Sequence, residues 1–161
     1  MDSKRVADSR VTLSHMMGPQ DANGLGNVHG GVIMKLADEA GGLVAIRHAQ
    51  SPAVTVAVDS MTFMHPIRIG TFVQFNAELT YVGRTSMEVR VEVISENPIT
   101  GERLITNTAY YVYVAINSNG TPKPVPSLLY ETDEERKRAA QAQERQAYRK
   151  QQRAQEEDNQ A

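Results

Sequence analysis

The chain has 161 residues, 40% of them hydrophobic, no cysteine and a formal net charge of -2. That length supports one domain with a core that needs no disulfide, and the missing thiols exclude thiolate zinc sites, iron–sulfur clusters and a cysteine nucleophile. The near-neutral charge offers nothing to neutralise phosphates, so nucleic acid is not an expected partner, and no apolar run approaches the ~20 residues that cross a bilayer. The start, "MDSKRVADSR", has no apolar leader core. A cytoplasmic chain without membrane contact is expected.

Residues 10–17, "RVTLSHMM", alternate apolar Val11 and Leu13 with Thr12 and Ser14, which predicts a short strand. "GPQDANGLGN" follows and is turn chemistry throughout. Residues 30–49 place Ile33, Leu36, Ala37, Ala40 and Val44 at three- and four-residue steps, the stripe of a helix. Four strand-like runs come next, at 53–64, 72–81, 86–95 and 104–116, separated by "HPIRIG", "YVGRTS" and "SENPITG". In the third run Met87, Val89, Val91 and Val93 alternate with Glu88, Arg90 and Glu92, so one face should be wet. The last run is apolar on both faces and should be central or covered twice.

Residues 121–130 form a proline-rich linker behind a domain spanning 8–120. Residues 131–161 carry eight acidic and seven basic side chains with scattered alanines. They should form a helix, either solvated and fraying or docked on a neighbouring subunit. One strand, one long helix and four strands predict an α+β layer, an antiparallel sheet wrapped over a buried helix. One helix cannot cover both faces of the last strand, so a second copy of the chain is expected to do so.

The helix holds the chemistry. Asp38 precedes the pair Gly41-Gly42 by three residues. Each glycine weakens a helix by about 0.5–1 kcal/mol relative to alanine. The gain is close approach beside Asp38, by a ligand or by a packed backbone. "HGG" stands at the helix start, where N–H groups lack intrahelical partners and could hold a carbonyl oxygen. Asp38 could then act on water as a general base, or attack as a nucleophile. Asn23 could hold that water or the substrate carbonyl. His29 is read as structural, because a charged imidazole is disfavoured at a helix start. No Gly-x-Ser-x-Gly elbow is present, and His15, His29, His48 and His65 lack zinc spacing, so no metal is expected.

Taken together, Asn23, "NVHGG" at 27–31, "MKLADEAGG" at 34–42, "VDSMTFMHPIRIG" at 58–70 and "GRTSMEVRVEV" at 83–93 resemble the acyl-CoA thioesterases of the hot-dog fold. The similarity is to the cytosolic acyl-CoA hydrolase branch and extends through "GTPKPVPSLLYETDEERKR" at 120–138. His29 matches the animal members, whereas bacterial single-domain members commonly have Phe there. The resemblance implies a curved antiparallel sheet of five or six strands around one long helix, with a charged C-terminal helix behind it. It implies hydrolysis of acyl-CoA to free acid and CoA, with no cofactor beyond the CoA of the substrate, and homodimers assembled to hexamers. It implies that Asn23 of one subunit faces Asp38 of the other, with the Gly31 N–H polarising the thioester carbonyl. Thr62, Arg84, Thr85 and Ser86 resemble positions along the CoA path. A hydratase or dehydratase using His29 and a non-catalytic acyl-CoA sensor are the alternatives on the same scaffold.

Overall fold

The computed structural model describes residues 1–161. A two-residue strand β1 (Lys4–Arg5) leads through a 3-10 turn to β2 (Val11–Met16). A second 3-10 turn and a glycine-rich loop then lead to helix α1 (Gly30–Ala49). Strands β3 (Ala53–Val58), β4 (Phe72–Val82), β5 (Ser86–Glu96) and β6 (Arg103–Ala115) follow. The short β7 (Leu128–Leu129) precedes the long helix α2 (Asp133–Gln160). No helix is long and apolar enough to cross a membrane.

The main sheet is antiparallel with the order β2-β4-β5-β6-β3. Period-two alternation does what it predicts on the inner face. Val73, Phe75, Ala77 and Leu79 of β4, and Met87, Val89, Val91 and Val93 of β5, are buried in one core with Ala109, Tyr111, Tyr113 and Ala115 of β6. The helix stripe Ile33, Ala37, Ala40 and Val44 faces them, each at most 1% exposed. This is the expected sheet wrapped round a helix. Full burial of each larger side chain contributes about 1.5–3 kcal/mol.

Three expectations are corrected. The second strand ends at Val58 rather than at residue 64. Beyond it the chain leaves the sheet and folds back over the start of α1: Ile67 O accepts from Val28 N at 2.7 Å. A Cβ at Gly30 would lie 3.4 Å from the Phe63 ring.

The outer face of β5 is wet only in part, with Arg90 and Glu92 half-buried. Glu88 is only 3% exposed, because α2 crosses the outside of the sheet and its arginines pair with the acidic side chains there. Arg138 pairs with Glu78 of β4, Arg145 with Glu88 at 2.7 Å and Arg149 with Glu88 at 2.9 Å. Ala139 and Ala142 are buried beneath the helix.

The tail is therefore not solvated throughout. Its first half docks on its own sheet, and residues 151–161 are exposed. Arg145 also lies 3.7 Å over the Tyr110 ring on the outer face of β6. Part of the second cover expected from another copy thus comes from α2. The proline-rich segment lies flat on the body. Val125 N bonds Arg84 O at 3.0 Å, β7 pairs with β1, and Pro126 O meets His48 Nε2 at 2.7 Å.

Candidate active site

Thr132 caps α2, and His29 caps α1. The His29 Nδ1 accepts from the Gly31 N–H at 3.0 Å, and His29 O accepts from Val32 N at 2.9 Å. An imidazole that accepts at Nδ1 is neutral at that nitrogen. The structural reading of His29 thus has a geometry: it is the N-cap. The same bond engages the Gly31 N–H, so a substrate oxygen must share that donor with the imidazole.

Asn23 sits half-buried in the loop before the helix. Its Oδ1 accepts from the N–H groups of Leu25 at 2.9 Å and Asn27 at 3.2 Å. Two backbone donors fix which end of the amide is oxygen. Nδ2 has no protein partner and is left as a free donor, suited to a substrate oxygen.

Asp38 lies two turns further along α1, on the side facing β3 and β6. Thr55 Oγ1 donates to its Oδ1 at 2.8 Å, and the Tyr113 hydroxyl lies 3.0 Å from both Oδ1 and the Asp38 carbonyl. No hydrogen bond engages Oδ2. One carboxylate oxygen is fixed by two hydroxyls while the other stays open. Tyr113 can come this close because residue 41 is glycine: a Cβ there would collide with the hydroxyl and lie 3.1 Å from two ring carbons. The pairing of a helix glycine with a carboxylate has its explanation here. Gly41 is buried facing the sheet, and Tyr113 fills the space its side chain would take.

The two tyrosines are held as neutral donors. Burial, and then the Asp38 charge, push Tyr111 up to about 12. The same causes, in the same order, push Tyr113 far above the ordinary tyrosine value. Tyr111 bonds Met34 O at 2.9 Å and stacks on Tyr113 at a centroid distance of 6.4 Å. Thr55 and Tyr113 are site residues that sequence reading missed. The available signal was a hydroxyl at the centre of "AVTVAV", on a strand otherwise aliphatic.

Within one chain these groups do not converge. Asp38 is seven residues beyond Gly31, which is about 10 Å along the helix axis, and no hydrogen bond joins it to Asn23. Thr62 is exposed in the loop after β3. Arg84, Thr85 and Ser86 form the β4–β5 turn, where the backbone oxygens of Arg84 and Thr85 bind Val125 N and Ala115 N. Ser86 faces a groove under α2 with Gln146, Arg149 and Lys150. No group of three or more His, Asp or Glu side chains is arranged to hold a metal.

The profile of the Thioesterase superfamily matches residues 25–102. The mouse cytosolic acyl coenzyme A thioester hydrolase is 39% identical over 136 residues, which are 83% of this chain and 35% of that protein. The chain thus spans about a third of the length of that relative. An acyl-CoA thioesterase solved as an apo hexamer is 37% identical with a TM-score of 0.91, covering 96% of this chain and 99% of its own. An acyl-CoA hydrolase from Staphylococcus aureus, solved with butyryl coenzyme A, coenzyme A and coenzyme A disulfide, is 30% identical with a TM-score of 0.90, covering 98% of this chain and 96% of its own. Alanine variants of that hydrolase at an aspartate, an asparagine and a threonine have also been solved. On fold, sequence and length of match, the chain belongs to the thioesterase superfamily of hot-dog proteins, in its acyl-CoA thioester hydrolase family.

Proposed function

We propose that this chain hydrolyses acyl-CoA to a free carboxylic acid and CoA, at sites shared between two copies. The observation that carries the reading is Asp38, its Oδ1 held by Thr55 and Tyr113 and its Oδ2 open. The spacing of Asn23, Asp38 and Thr55, fifteen and then seventeen residues, equals that of the asparagine, aspartate and threonine varied in the S. aureus hydrolase.

Distance supports the sharing. The helix-start donors and Asp38 of one α1 are about 10 Å apart along the axis, too far to act on one thioester carbon. An antiparallel α1 from a second copy would set its Asn23 and Gly31 beside this Asp38. Two features support such a partner. β3 is an unpaired edge with Val54, Val56 and Val58 exposed, and α1 exposes Met34, Leu43 and Ile46. Assembly of such dimers to a hexamer, and a cytoplasmic location, complete the proposal by analogy with relatives so described.

The chemistry balances without a metal or a further cofactor. Asp38 Oδ2 takes a proton from water as the water oxygen bonds to the thioester carbon. The carbonyl oxygen becomes an oxyanion held by Asn23 Nδ2 and the Gly31 N–H of the second copy. When the carbon–sulfur bond breaks, the electron pair goes to sulfur and the proton on Asp38 can follow it. Direct attack by Asp38, through an anhydride hydrolysed by water, is an equivalent use of the same open oxygen. Thr62 and the Arg84–Ser86 turn are proposed along the CoA path. His29, spent as a helix cap, is not placed as a dehydratase base.

The test is release of CoA from short to long acyl-CoAs by wild type, Asp38→Ala and Asn23→Ala. Loss of one oxyanion donor should cost about 10²–10³ in turnover, with the far-ultraviolet circular dichroism unchanged. A wild type that binds acyl-CoA and releases no CoA overturns the reading and leaves an acyl-CoA sensor.

A further inference from the structure

β3 has a single neighbour, β6, and its register slips between Thr55 and Ala57. An edge strand with a bulge is weakly fixed by its own ladder. Yet Thr55 on this strand orients Asp38. The strand is tied down from the opposite side of the sheet. Arg149 of α2 uses Nη1 to reach Asp59, directly after β3, at 3.1 Å from Oδ1 and 2.9 Å from Oδ2. Its Nη2 donates to Glu88 Oε2 at 2.9 Å.

Glu88 belongs to β5, the middle strand of the sheet, and its side chain is 2% exposed. Thr80 and Arg145 satisfy it as well, at 2.6 and 2.7 Å from Oε1. Arg149 therefore bridges the end of the edge strand to the buried centre of the sheet, with side-chain exposures of only 15% for Arg149 and 22% for Asp59. Asp59 N makes the last rung to Tyr110 O at 3.0 Å. From this anchor the chain runs four residues back to Thr55. It runs four residues forward to Phe63, whose ring lies over Gly30 at the start of α1.

We infer that Arg149 is a positioning residue for the thioesterase reaction: by holding Asp59 it fixes β3, and through Thr55 it fixes the orientation of the Asp38 carboxylate. The inference rests on the reading of Asp38 as the reacting carboxylate. It gives the C-terminal helix a part in catalysis although no atom of that helix touches Asp38. Arg145 supplies the control. It binds the same Glu88 and stacks on Tyr110, but has no hydrogen bond or ion pair to Asp59.

The experiment measures kcat, KM and unfolding midpoint for full-length Arg149→Gln, Asp59→Asn and Arg145→Gln, each alone and combined with Thr55→Val. Small misplacements of a reacting group cost up to about 10² in rate. Arg149→Gln and Asp59→Asn should each lower kcat about tenfold while KM moves less than about twofold. Arg145→Gln should lower the unfolding midpoint and leave kcat within about twofold.

Because Arg149 acts through Thr55, neither Arg149→Gln nor Asp59→Asn should lower kcat further once Thr55 is Val. Full independent losses in the Thr55→Val background overturn the inference, as does an unchanged kcat in Asp59→Asn. If Arg149→Gln fails to fold, Asp59→Asn, which leaves Glu88 and both arginines paired, decides alone. A Thr55→Val enzyme with wild-type kcat overturns the inference at its link, while an Asp38→Ala enzyme with wild-type kcat overturns the site reading beneath it.

Discussion

The Tyr113 hydroxyl occupies the space that a side chain at position 41 would fill, and from there it reaches both the backbone and the carboxylate of Asp38. Gly41 and Tyr113 are thus one feature divided between helix and sheet. Gly41→Ala gains about 0.5–1 kcal/mol of helix propensity but must displace the Tyr113 ring, and overpacking of this kind costs typically ~1–3 kcal/mol. The net result should be a less stable protein with an Asp38 that has lost one of its two anchors. Tyr113→Phe removes the colliding atom, so Gly41→Ala should cost less in that background. Chemical unfolding of the four-member cycle measures the coupling, and simple additivity would show that the two residues do not share the space.

The acid side of the stability curve should report His48. Its side chain is fully buried at the end of α1, with Nε2 on Pro126 O at 2.7 Å, Nδ1 unpartnered and the Lys4 ammonium close by on its backbone carbonyl. Burial, opposed by the Pro126 bond and aided by Lys4, lowers its pKa below the ordinary 6.5. The unfolded chain then binds this proton more tightly than the native one. The contribution is complete above pH 6.5 and is lost as pH falls through the lower native value. Unfolding free energies measured between about pH 7.5 and 5 should slope downward toward acid. His48→Gln, which keeps a donor for Pro126, should flatten that share of the slope. An unaltered slope would assign it to other groups.

The inner face of the sheet was legible in the sequence because burial of one face writes itself as alternation, as in Val89, Val91 and Val93. The outer face was not. Glu88 sits in the same alternating pattern as a solvated glutamate would, and nothing local distinguishes the two. Only the arginines at 145 and 149, fifty-seven and sixty-one residues away, make it buried. Asp38 and Asn23 stood out because a carboxylate beside helix glycines and an amide in a glycine loop are locally odd. Thr55 was hidden inside a good strand, where threonine is an ordinary residue. Its role exists only because β3 runs beside α1, a relation set by topology. The end of β3 was misplaced for a similar reason. Residues 59–64 have strand-like composition, and their departure is fixed by contacts with the start of α1.

Truncation separates the two halves of α2. Removing residues 151–161 breaks none of the ion pairs to the sheet and should leave stability within about 0.5 kcal/mol. Removing residues 133–161 strips Glu88 of both arginines while Thr80 alone remains, and uncovers Ala139 and Ala142's docking surface. The same deletion opens Glu88 to water, so no buried charge is stranded, and the loss comes from the ion pairs and the apolar surface that α2 covers. Urea unfolding should therefore show a loss of stability for the long truncation only. Equal stability of the long and short truncations would mean that the ion pairs contribute nothing net.

Shared sites make a prediction that no single-chain site can meet. Asp38→Ala and Asn23→Ala homodimers each have two defective sites. In a mixed dimer one site has both intact residues, and the other has neither. If the two variants are unfolded together and refolded in equal amounts, half the dimers are mixed and one site in each is whole, so about a quarter of wild-type activity should return. The mixture before exchange should show only the residual activity of its components. A refolded mixture that stays at that residual level would place Asn23 and Asp38 of the same chain in one site, and the helix geometry, with Gly31 and Asp38 about 10 Å apart along one axis, would then need a different substrate path to explain it.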